Sequence, residues 1–204
     1  MEVQKLARVR VSPSRPGLHV KQTHRVIELA FAGMMAAWES FLEDTTIHYL
    51  AGAATASGYA PTLRMGRCKD ISHAYQVYSG KPDYDPNKRF LEWTNPSMVV
   101  ERARLFFQQG HPYDGPLTEY GPRLLDATKI RNRVAHASAK AGEQFKEVAR
   151  RLRGGQLHQG FRVGNLLQSP VTAPFGHTLL VSGKTVFEAY LAILRDAAKR
   201  IVPT

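Results

Sequence analysis

The sequence predicts a mainly α-helical protein: a bundle of four to five helices, an irregular insertion over about residues 52–93, and room for short strands near 156–182. Three observations carry this. Apolar residues recur at three- and four-residue spacing in several separate stretches, as in helices with one buried face. Gly, Pro, Ser and Asp gather in one block, in "SGYAPT" and "SGKPDYDPNK", and break the helical pattern there. The 43% hydrophobic fraction is enough for an ordinary core, and packing helices face to face is the direct way to bury such stripes.

Residues 1–21, rich in Arg, Lys, Pro and Ser, read as a basic N-terminal arm ahead of one domain over 22–204. Thr23 is the expected cap of the first helix, which should run to about Leu50. Within it Ile27, Phe31, Met34, Trp38, Phe41, Leu42, Thr45 and Tyr49 share one face at ~100° per residue, with Glu28 and Glu39 on its border. The insertion should hold one short helix around 68–78. In "TNPSMVVERARLFFQQG" (94–110), Asn95 can cap a helix, Pro96 suits its first turn and Gly110 can end it. A helix over 118–138 and a short amphipathic helix over 140–153 with a basic end should follow. "HTLLVS" (177–182) is the best strand candidate. Ser182 is the expected cap of the last helix, in which Val186, Tyr190, Ile193, Leu194 and Ala197 lie on one side.

The net charge of +11 favours polyanionic partners, because Lys and Arg attract phosphate and displace its counterions. A single cysteine, Cys68, rules out an internal disulfide and a cysteine-based zinc site, and fits a reducing cytoplasm. None of the eight histidines lies three or four residues from another, the spacing of a helical metal pair, so no metal or cofactor is expected. The longest near-apolar run, "LAFAGMMAAW" (29–38), is too short to span a bilayer, and the first residues lack the apolar core of a secretion signal. A cytoplasmic protein without a membrane partner is the expectation. "SGKT" (182–185) is no phosphate loop, since position 178, where the loop needs glycine, is Thr.

The chemistry concentrates in "KIRNRVAHAS" (129–138). With Leu124 at zero on a helical wheel, Arg131 falls near about 340°, inside the apolar face, while Asn132 and His136 share its edge near about 80° and 120°. A half-buried arginine needs a partner, and Glu39, or alternatively Glu28, is positioned to supply one. A bland reading makes Arg131 a structural bridge and His136 a surface histidine. A sharper one makes them a metal-free ribonuclease site. Cleaving RNA needs proton transfer, which an imidazole can perform, and fixed positive charge on the phosphate, which a guanidinium provides. One histidine cannot easily be base and acid at once, so the same helix of a second subunit should complete the site; the small residues around it allow close approach. Lys129 and Arg133 lie further around the helix, and Arg150 and Arg151 in "RRLRGG" form a basic cluster; these are the candidate substrate contacts.

"RNRVAH" (131–136) resembles the signature of the HEPN superfamily, an arginine, usually followed by asparagine, four to six residues before a histidine on a late bundle helix. The long first helix with "AAWESFLED" and the segment before the motif helix are similar to its RiboL-PSP-like branch. The resemblance implies a helical bundle, a homodimer with a composite site, and metal-independent endoribonuclease activity in toxin–antitoxin or phage-defence systems, with an antitoxin or defence protein as partner. It makes Arg131 and His136 catalytic and Asn132 supporting. Some relatives are non-catalytic RNA- or protein-binding modules, and that is the alternative expectation.

Overall fold

The computed structural model describes residues 19–204, so the basic arm predicted over 1–21 lies almost wholly outside the described residues. The described chain is mainly α, with no strand among the described residues. Its helices are α1 (Val20–Leu50), α2 (Ile71–Ser79), α3 (Pro96–Phe106), α4 (Asp114–Ala135), α5 (Ala139–Arg153), α6 (Val163–Gln168), α7 (Thr178–Val181) and α8 (Val186–Ile201). Short 3-10 turns occupy Gln108–Gly110 and Ala173–Phe175. No helix among the described residues is long and apolar enough to cross a membrane. The described chain divides into two compact units, one of residues 19–36 and 126–193, the other of residues 37–125 and 194–204.

The first unit is built around an aromatic cluster. Phe31 meets Tyr190 edge-on at 5.5 Å and Phe187 at 6.3 Å, and Phe175 meets Tyr190 at 5.2 Å. Ile27 and Met35 of α1, Ala127 and Ile130 of α4, and Phe145, Val148, Ala149 and Leu152 of α5 are buried with it. Ser138 caps α5, its Oγ accepting the Ala141 N–H, and Gly154 closes the helix at φ 70°, a conformation that favours glycine.

The second unit is tied by tyrosines. Tyr113 donates to Thr45 Oγ1 at 3.1 Å, Tyr49 to the Ile201 carbonyl at 2.9 Å and Tyr120 to Asp196 at 2.7 Å. The predicted insertion belongs to this unit. Its helix α2 is capped by Asp70, and Tyr78 stacks on Trp93 at 4.7 Å. Burial pushes the phenols of Tyr49 and Tyr78 up from 10 to about 12, and that of Tyr113 up as well. A phenol pKa raised by folding stabilises the protein below pH 10, and that stability is lost as pH climbs through 10 toward 12. Thermal melts followed by circular dichroism should therefore fall steeply above pH 10, and less steeply for Tyr49→Phe.

Four expectations are corrected. "HTLLVS" is not a strand: residues 178–181 form one helical turn, and 163–168 a short helix. Short apolar runs carry no decisive period, and here Leu179 is fully exposed while Val181 is buried, which is no two-residue alternation. The only strand-like pairing in this stretch among the described residues is an isolated bridge between Pro170 and Thr185. Ser182 does not cap the last helix but ends α7; Thr185 caps α8, its Oγ1 accepting the Glu188 N–H while Glu188 takes the Thr185 N–H at 2.9 Å. The first helix starts at Val20, before Thr23, which is buried. The motif helix starts at Asp114 rather than 118, because Pro116 tolerates a first turn and Pro122 is accommodated inside the helix.

Candidate functional site

The site forms where α4 ends. The helix stops at Ala135, and the His136 N–H still reaches the Asn132 carbonyl at 2.8 Å. His136 therefore stands just beyond the last turn, exposed, in a three-residue junction that Ser138 closes by capping α5. Arg131, Asn132 and Arg133 occupy that last turn and are half-buried.

His136 opens onto a cavity of about 450 Å³. Four cationic side chains line it: Arg25 of α1, Arg133 of α4, Lys146 of α5 and Arg162 at the start of α6. One carboxylate, Glu28, joins them, with Phe145 and Phe161 as apolar walls. Each is held for a local reason. The Arg133 guanidinium lies over α5 at Gly142, its Nη1 at ordinary contact distance, 3.7 Å, from where a Cβ would sit. Lys146 pairs with Glu143 at 2.8 Å, one turn back on an exposed face. Asn165 takes the Arg162 N–H at 2.9 Å, fixing the start of α6. Phe161 lies parallel to Phe145 at 6.3 Å, and the Arg153 guanidinium sits 5.3 Å from its ring centre.

Glu28 joins two segments. Its Oε1 accepts the Gly164 N–H at 3.0 Å, and its Oε2 lies 3.7 Å from Arg25. α6 comes so close to α1 that a Cβ on Gly164 would be 2.4 Å from the Cβ of His24, so only glycine fits.

The predicted residues separate into groups. His136 and Arg133 meet in the cavity. Arg131 is not part of its wall among the described residues; its Nη1 donates to Asn132 Oδ1 at 3.3 Å. Lys129 lies 3.7 Å from Glu147. Arg150 is exposed in the last turn of α5. Arg151 is engaged by Asp126, a carboxylate with only 4% of its side chain exposed, which gives this arginine a structural task.

Sequence reasoning missed Arg25, Lys146, Phe161 and Arg162, and read Glu28 only as an alternative partner of Arg131. They converge from three distant segments, and no spacing rule links them. The one available signal was local: Phe161 and Arg162 directly precede the short apolar stretch of α6. The cavity can hold a phosphate among fixed cations, present an imidazole to it, and offer an aromatic edge to a neighbouring base. Comparison with protein-family models, curated proteins and solved structures finds no match to this chain.

Proposed function

We propose that the protein is a metal-independent endoribonuclease of HEPN-like character, cleaving RNA by 2′-OH attack to leave a 2′,3′-cyclic phosphate. The observation that carries this is the exposed imidazole of His136 in a cavity walled by Arg25, Arg133, Lys146 and Arg162. Cations around a proton-transfer group are what phosphodiester cleavage needs when no metal supplies the charge. Unpaired RNA is the substrate, since only a flexible strand lets the 2′-oxygen line up with the leaving oxygen. The reading includes a homodimer and, in a toxin–antitoxin or phage-defence setting, a restraining partner protein.

The test is cleavage of labelled single-stranded RNA in EDTA. Wild type should cut, and His136→Ala should lose about 100-fold or more. Full activity in the variant, or activity abolished by EDTA, would remove the reading. One observation favours a second reading, a non-catalytic RNA-binding module: Arg131 stands outside the cavity wall, so the two signature side chains do not share it. That reading predicts salt-sensitive binding without product.

A further inference from the structure

We propose that Glu28 is the second proton-transfer group of this cavity, acting with His136 of the same chain. The assignment rests on the ribonuclease reading above. Attack by the 2′-oxygen forms the new P–O bond and releases the 2′-hydroxyl proton, which a base must take. Rupture of the P–O5′ bond leaves an alkoxide, to which an acid must give a proton. The products are a cyclic phosphate and a 5′-hydroxyl, with no other reactant consumed. One imidazole cannot do both in a single step, which by itself points to a second copy of the helix. The cavity offers a nearer answer.

Glu28 is the one carboxylate among the described residues of its wall. The other charged walls, Arg25, Arg133, Lys146 and Arg162, are cations suited to the phosphate oxygens. Glu28 is also held in place. The Gly164 N–H fixes Oε1 at 3.0 Å, while Oε2, at 3.7 Å from Arg25, is too far for a strong hydrogen bond and can take a proton. Its side chain is 15% exposed, so it is oriented by protein rather than by solvent. The Glu28 carboxylate accepts the 2′-hydroxyl proton, the His136 imidazolium donates to the 5′-oxygen, and the four cations hold the charge that builds on phosphorus.

The experiment compares full-length wild type, Glu28→Gln and His136→Ala for RNA cleavage in EDTA between about pH 5 and about pH 9, with RNA affinity and thermal melting measured alongside. Glutamine keeps an oxygen for the Gly164 N–H, so the fold should persist. Glu28→Gln should lower kcat about 100-fold and leave RNA affinity nearly unchanged. Mixing the two variants should restore nothing, because both groups act within one chain. If the glutamine variant melts early, Glu28→Asp, which keeps a carboxylate, should cut faster than Glu28→Gln. Cleavage by Glu28→Gln at the wild-type rate and profile would overturn the assignment and leave the ribonuclease reading standing. Recovery on mixing would place the groups in different chains and also overturn it. A wild type that cuts no RNA would remove both.

Discussion

Gly164→Ala is expected to destabilise the protein by about 4 kcal/mol, read as a lowered midpoint of urea unfolding at unchanged slope. The added methyl would lie 2.4 Å from His24 Cβ, 2.7 Å from its Cγ and 2.8 Å from its Cα. None of these is the free end of a flexible chain, so backbone must move. Overpacking of this kind costs about 3 kcal/mol, and losing the Gly164 N–H bond to Glu28 adds about 1 kcal/mol. Because α6 follows directly on Arg162, the cavity should deform as well, and on the ribonuclease reading RNA affinity should fall with stability. Gly142→Ala is the control. Its nearest contact would be Arg133 Nη1 at 3.7 Å, ordinary van der Waals distance, and alanine is the better helix former. It should stabilise by about 0.5 kcal/mol.

Arg151→Ala is expected to lose about 3 kcal/mol. The Asp126 carboxylate has 4% of its side chain exposed, and removing a guanidinium that pairs with it takes away part of what offsets its desolvation. The loss belongs at the low end for such pairs because 42% of the Arg151 side chain is exposed and solvent screens it. Asp126→Leu combined with Arg151→Met should recover most of the loss, since an apolar pair of similar volume needs no compensation. The same variants separate two roles for Arg151. A phosphate contact would lose RNA affinity at constant stability; the structural pair does the reverse.

Sequence legibility followed the range of the forces involved. Helix α3 was readable to the residue at its start because its cap is local: Asn95 takes the Ser97 N–H, and Pro96 follows. The buried face of α8 was readable because Val186, Tyr190, Ile193, Leu194 and Ala197 repeat with the helical period, and all five are buried. Thr185-x-x-Glu188 was equally local and was overlooked in favour of Ser182, which has no such acidic residue three positions on. The helical turns of 163–181 were not readable, because four to six residues show too little period to separate a strand from a turn. His136 and Arg133 were found from their own helix. Arg25, Lys146 and Arg162 reach the same cavity from three other elements, and one chain read without its fold offers nothing that brings them together.

The boundaries between the two compact units fall at 36/37, 125/126 and 193/194, inside α1, α4 and α8. Ordinary module borders sit in loops, where a cut severs little. Here any excised fragment would carry sheared helix ends, each with up to four newly bare amides or carbonyls, and the pieces of α4 and α8, at most 12 residues long (114–125), fall below the length that holds itself together in water. Trimming this protein to a minimal piece is therefore expected to yield unfolded chain, and genetic dissection belongs to point substitution rather than deletion.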